Sequence, residues 1–148
     1  MKIKELLSEK QQEVVQIAPD AKVCECVEIM NECRIGAVMV VDGQVQGIIS
    51  ERDIMRKTPA AGGDLCAMAV SELMTPAASL VTISSSAEID EAMQKMTANK
   101  VRHLPVMDEG ALVGILSIGD VVKTLWQAAV AENKTMKQYM FGQEQILV

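Results

Sequence analysis

Val45-Gln46-Gly47-Ile48-Ile49-Ser50-Glu51-Arg52-Asp53-Ile54-Met55-Arg56-Lys57 reads as an apolar strand, a glycine, a Ser-x-x-Asp and the start of a helix. The chain repeats it at Leu112–Thr124, LVGILSIGDVVKT. Gly47 matches Gly114, Ser50 matches Ser117 and Asp53 matches Asp120, each 67 residues apart. Two copies of one strand-to-helix corner imply two related halves and two related sites.

Working outward from the corner, the repeat extends in both directions. Upstream, Gly36–Val41 is a buried strand, and Asp42-Gly43 marks a hairpin into Val45–Ile49. Before it, Val23, Val27 and Met30 recur at helical spacing through Cys33, with Asp20 as the expected cap. Val14-Val15-Gln16-Ile17 is a short apolar strand, and Ile3–Leu7 a turn of helix. The second copy runs Val70–Met74, Leu80–Ile83, Ala87–Asn99, His103–Val106 and Ala111–Leu116. Val15/Val81, Ile17/Ile83, Met30/Met96, Val40/Val106 and Asp42/Asp108 match at an offset of 66, which becomes 67 after the hairpin. The extra residue lies in the second turn, Asp108-Glu109-Gly110. A turn is where a structural repeat tolerates an insertion.

The fold expected is α/β (α+β): two βαββα repeats packed pseudo-symmetrically, plus a C-terminal helical tail. The divisions are 1–60, a linker at 61–69 within the Pro-, Ala- and Gly-rich stretch Thr58–Ala69, a second repeat at 70–126 and a tail at 127–148. Each half is too short to bury much apolar surface alone, so the two face each other. The cleft between them is the natural ligand site. In the tail one helix is expected to run to Glu132. A second follows over Asn133–Phe141, ending near Gly142. All three aromatics, Trp126, Tyr139 and Phe141, lie there, which points to a homodimer contact.

Composition bounds the function. Of the 148 residues, 49% are hydrophobic and 23% charged, with mean hydropathy +0.19, enough apolar material for a core. Aromatics are 2%, so aliphatic side chains and Met fill it. A net charge of −6 and a pI near 4.8 argue against broad nucleic-acid binding, which needs clustered cations. No leader-like apolar segment and no membrane-length apolar run is present, so a cytoplasmic protein is expected. Cys24, Cys26, Cys33 and Cys66 lack zinc-ribbon spacing, and the single His, His103, is distant. They read as small buried hydrophobes, with a redox pair as the alternative.

Two motifs carry chemistry. Ser-x-x-Asp at a helix start is a capping box in its plain reading. It also offers a carboxylate to the hydroxyls of a ribose and free N–H groups to a phosphate. Duplication does not separate these readings. Lys100-Val101-Arg102-His103-Leu104-Pro105 sets cations before a buried strand in an acidic chain. These residues either complement a helix C-terminus or form an anion site, with Arg102 as a planar fork. The first repeat has Arg34, Gly36 and Ala37 in these places, so the two sites are unequal. No Ser/His/Asp set, metal cluster or phosphate-binding loop is visible, and the chain is not expected to be an enzyme.

The strings GIISERD, RHLPVMDEGALVGILSIGD and SIGDVVK resemble those of a tandem pair of cystathionine-β-synthase (CBS) domains, a Bateman module. The likeness covers about Ile3 to Leu125 and is nearest to small stand-alone CBS-pair proteins. It implies binding of adenosyl ligands: AMP, ADP, ATP, NAD(H) or S-adenosylmethionine. By position, it implies a first site with Ser50 and Asp53 at the ribose, Leu80, Val81 and Thr82 around adenine, and Arg102, His103 and Pro105 toward phosphate. Arg52 and Arg56 would add charge. A second site would use Ser117 and Asp120, with Val14, Val15 and Gln16 around adenine, and Met39 where the first has Pro105. No required cofactor is implied. The function expected is a regulatory sensor acting on a separate partner protein. The rivals are an interaction protein with vestigial sites and a redox sensor.

Overall fold

The computed structural model describes residues 1–141, without the side chains of 59–61 and 141. In chain order the elements are α1 (Ile3–Lys10), β1 (Gln16–Ile17), α2 (Val23–Cys33), β2 (Ala37–Asp42), β3 (Gln44–Ser50), α3 (Glu51–Ala61), α4 (Val70–Leu73), β4 (Thr75–Pro76), α5 (Ile89–Asn99), β5 (His103–Asp108), β6 (Ala111–Ser117) and α6 (Ile118–Phe141). Short 3-10 turns cover Leu65–Ala67 and Ala77–Ser79.

The first sheet has the order β1-β2-β3-β4, with β1 parallel to β2 and the other pairs antiparallel. The second is the β5-β6 hairpin, and a parallel bridge from Ile83 to Val106 stands where β1 stands in the first. The expected four-residue strands at Val14–Ile17 and Leu80–Ile83 are thus shorter, a two-residue strand and a single bridge. Both hairpins shift register at the same place, Val40/Val41 and Val106/Met107. The inserted residue lies in the second turn as expected. Asp42 faces Gln44 across Gly43, whereas Asp108 faces Ala111 across Glu109 and Gly110, which have φ of 50° and 81°.

The two halves exchange their leading helices. Ile3 and Leu6 of α1 are buried with Ile83, Ile89, Met96, Leu104 and Leu116 of the second half. Val70 and Leu73 of α4 are buried with Val23, Met30, Val38 and Ile49 of the first. The backbone anchors are equivalent. The Ile3 N–H donates to Ala87 O and Lys4 N–H to Ser85 O; Val70 N–H donates to Ala21 O and Ser71 N–H to Pro19 O. The packed halves therefore divide the chain differently from its sequence repeats. Between them lies a seam of Ala37, Met39 and Ile48 against Leu80, Leu112 and Ile115.

The exchange changes how helices start. Asp20 does not cap α2; the N-cap is Lys22, with no side-chain cap. The Val23 N–H instead donates to Met68 O, and in α5 the Ile89 N–H donates to Met1 O. Backbone from the incoming helix satisfies the free donors that a side chain would otherwise meet. The first repeat's last helix also runs further than expected, past Pro59 to Ala61, and Gly62 at φ 64° ends it.

The tail differs as well. α6 is one helix from Ile118 to Phe141, with no break at Asn133. No Gly or Pro lies between Gly119 and Gly142, and a single interior Asn costs under about 1 kcal/mol. The expected stop at Gly142, and the rest of the tail to 148, lie outside the described residues.

Candidate functional site

The duplicated corners face two clefts along the seam. In the first, Ser50 caps α3. Its Oγ accepts from the Asp53 N–H at 3.2 Å, and its own N–H and O–H donate to Asp53 Oδ2 at 3.0 Å each. Thr75 Oγ1, on β4, donates to Asp53 Oδ1 at 3.2 Å. The capping box is therefore real. A carboxylate has about four lone-pair positions, so these donors leave roughly one, on Oδ1, for a ligand hydroxyl. Thr75 holds the position a second hydroxyl would take.

This first cleft has a volume of about 380 Å³, within the range of small-molecule sites. Ser50, Asp53, Leu80, Val81, Arg102, His103 and Pro105 all line it, as do Arg52 and Arg56. Thr82 does not; its carbonyl instead accepts from Lys95 Nζ at 2.8 Å. Lys100, Ser79 and Thr75 join the lining without having been expected there. Its cations are Arg52, Arg56, Lys100 and Arg102, against the carboxylates Glu51 and Asp53. None of the four cations forms a salt bridge among the described residues, where the pairs are Met1–Glu88 and Lys10–Asp120. Arg52 also donates to Lys100 O at 3.1 Å, tying α3 to the end of α5 in the other half. Lys100 itself is an αL cap, φ 54°, like Arg34 at the matching end of α2.

The second cleft measures about 570 Å³. Val14, Val15, Ser117 and Asp120 line it, with Arg34, Gly36 and Ala37. Gln16 lies outside, exposed on β1, and Met39 is fully buried in the seam rather than replacing Pro105 as lining. Ser117 and Asp120 form the same reciprocal cap, at 2.9 and 3.1 Å. The partner of Asp120 is new: Lys10 Nζ, from α1, sits 2.8 Å from Oδ2 and 3.1 Å from Ile115 O. Burial pushes the Asp120 carboxyl up, but Lys10 and the Ser117 donors outweigh it and hold it below the usual range. With Lys10 so engaged, this cleft has Arg34 set against Glu13 and no surplus of cations to match the first.

His103 and Gly36 line both clefts. Burial holds the imidazole below its ordinary value; Glu51 and Asp120 pull it up while Lys10 and Arg102 push it down. The lowered value disfavours a third charge there beside Lys100 and Arg102.

The cysteines depart from the expected set of buried thiols. Cys24 in α2 is joined to Cys66 in the linker, with Cα atoms 4.7 Å apart. Cys33 is exposed at the end of α2 and lines the second cleft. Cys26 is buried, and burial pushes its thiol up to about 11. No helix among the described residues is long and apolar enough to cross a membrane.

Lys10, the last residue of α1, and Thr75, in β4 just after α4, were missed because the exchanged helices carry them across, and nothing in their local sequence marks that exchange. Lys100 stood beside Arg102 in the cationic string, so its signal was present.

The family model for the CBS domain matches residues 3–59 and 70–127. The mitochondrial CBS domain-containing protein CBSX3 of Arabidopsis thaliana is 35% identical over 127 residues; the match covers 83% of this chain and 62% of that protein. A crystal structure of a CBS-domain containing protein from Agrobacterium tumefaciens superposes with a TM-score of 0.78 at 37% identity, covering 84% of this chain and 98% of that one. The CBS domain pair of protein MJ0100, solved with 5′-methylthioadenosine and S-adenosyl-L-methionine, has a TM-score of 0.75 at 21% identity, over 86% of this chain and 98% of that one, and so shares the fold.

Proposed function

The chain belongs to the CBS-domain family, with two CBS domains in one polypeptide, and from that premise we propose that it is a regulatory module that binds an adenosyl ligand with a phosphate group in its first cleft. The observation that carries this reading is the surplus of cations there. Arg52, Arg56, Lys100 and Arg102 converge on one cleft without salt-bridge partners among the described residues, in a chain of net charge −6. Unpaired cations around a concave apolar wall suit a phosphate more than a neutral ligand.

The ligand's parts follow from the lining. Leu80, Val81 and Pro105 give an apolar slot for adenine. Asp53 accepts one ribose hydroxyl on its remaining lone pair, and a second once Thr75 yields its place. Arg102 grips the phosphate with its planar fork. The adenosyl ligands bound by the MJ0100 domain pair support the class. AMP, ADP, ATP and NAD(H) all present an adenosine with phosphate. S-adenosylmethionine carries none and suits the second, less cationic cleft, where Asp120 keeps Oδ1 for hydroxyls.

The cleft walls come from both halves, so a bound ligand favours one relative packing of them over another. That shift is the signal a separate partner protein would read. On this reading the module is a sensor, its signal carried by binding and the packing shift that binding favours.

The test is calorimetry and thermal shift on the purified protein with AMP, ATP, NADH and S-adenosylmethionine. Saturating ligand at a hundredfold excess over Kd stabilises by about 2.7 kcal/mol. Arg102→Ala is expected to weaken nucleotides more than adenosine, and Asp53→Ala to weaken both. No stabilisation by any of the four would leave the interaction-protein reading in its place.

A further inference from the structure

From Trp126 to Met140 every residue of α6 is exposed, so this stretch leaves the body and packs against nothing that would hold it among the described residues. An isolated helix of that length is marginal in water, so its stability calls for a partner. Its pattern states what kind. Val122, Trp126, Ala129, Asn133, Met136 and Met140 fall at alternating steps of four and three. Trp126, Met136 and Met140 are 64%, 55% and 66% exposed on that stripe. Gln127, Lys134 and Gln138 occupy the opposite face. This is a heptad seam with Trp126, Asn133 and Met140 at a and Val122, Ala129 and Met136 at d.

We propose that α6 beyond Leu125 is one strand of a parallel two-stranded coiled coil formed with a second copy of this chain. Three features select that occupant. Asn133 sits at a central a position, where a polar amide favours a two-stranded pair in fixed register by bonding its counterpart. Glu132 lies at g and Lys137 at the following e′, five residues on, so a parallel pair makes two symmetric Glu132–Lys137 bridges. An antiparallel pair sets g against g′, where Leu125 and Tyr139 offer Glu132 no cation. The stripe also continues onto the body through Val122 and Ile118, 49% and 38% exposed, so the two bodies sit side by side at the same end. The seam spans under three heptads, so the pairing is reversible on dilution.

Sedimentation of the full chain over a concentration series tests this, with circular dichroism and thermal melting to verify that each variant's body is intact. The parent is expected to dimerise reversibly. Trp126→Glu, at an exposed position, is expected to raise the dimer dissociation constant by on the order of thirtyfold or more. Glu132→Lys weakens the dimer and adding Lys137→Glu restores it. Asn133→Cys is expected to cross-link to itself under mild oxidation beyond any parent background, which requires parallel strands in register. A parent that stays monomeric throughout would overturn the proposal and assign the face to another protein. So would a dimer that persists in Trp126→Glu, or an Asn133→Cys that does not cross-link.

Discussion

Gly47 and Gly114 hold the same place in the two corners, yet replacing each with alanine is expected to give different outcomes. Neither has a positive φ, so alanine fits both backbones. What differs is the neighbour. A Cβ at Gly47 falls well inside van der Waals distance of the Thr75 carbonyl oxygen, with Met74 Sδ at 3.0 Å. That oxygen belongs to β4, which pairs with β3 at Gly47↔Pro76, so the strand must move. A Cβ at Gly114 meets the Leu7 methyls at 2.8 Å, the tip of a flexible side chain. Overpacking against backbone costs about 1–3 kcal/mol, and this case belongs at the upper end. Against Leu7 the cost is about 1 kcal/mol, and alanine returns about 0.4–1 kcal/mol by restricting the unfolded chain. Gly47→Ala is therefore expected to lower Tm by roughly 6–10 °C, and Gly114→Ala by at most about 2 °C. Urea denaturation at constant m value measures both. Since β4 also carries Thr75, only Gly47→Ala should alter ribose binding at Asp53. Equal losses in the two variants would refute the exchanged packing of the leading helices.

Lys10→Ala leaves the Asp120 carboxylate, about a quarter exposed, without its cation, at a cost of about 2 kcal/mol at pH 7. The folded-state pKa of Asp120 lies below its unfolded value, so the pair's contribution is present above about pH 4 and lost as pH falls through the folded value. The variant's deficit should shrink in acid, and a deficit constant from pH 7 to pH 3 would exclude the pair as its source. The Cys24–Cys66 link closes a loop with a sequence separation of 42, worth roughly 3–4 kcal/mol by the chain-entropy model. Dithiothreitol should bring the oxidised parent down to the stability of Cys66→Ser, and a parent indifferent to reductant would remove that bond from the account. Thr75→Val frees the Asp53 Oδ1 position, so adenosine affinity should rise by a fewfold in calorimetry; a loss would mean that Thr75 contacts the ligand directly.

Much of this was legible in the chain because side-chain pattern encodes it. The offset of Gly47/Gly114, Ser50/Ser117 and Asp53/Asp120 exposes the repeat, and Asp42-Gly43 and Glu109-Gly110 mark the hairpins. Seven residues expected around the first site line one cleft, because the corner and the cationic string are each local motifs on adjoining elements. What was not legible depends on contacts that leave no side-chain signature. The helix exchange is made by backbone bonds such as Ile3 N–H to Ala87 O and Val70 N–H to Ala21 O. Any residue can make those bonds, so neither the exchange nor the arrival of Lys10 and Thr75 beside the two aspartates is written in local pattern. The short strands fail for a related reason: Val14–Ile17 and Leu80–Ile83 are apolar enough, but ladder length depends on the neighbour available. The Cys24–Cys66 pairing needs the linker's path across α2, which spacing alone does not specify.

The most direct measurement is a crystal structure of the protein grown with AMP. The nucleotide is expected in the first cleft, with its ribose at Asp53, its adenine beside Leu80 and Val81, and its phosphate on Arg102. AMP bound only in the second cleft, or in the first with its phosphate turned away from Arg102, would contradict it.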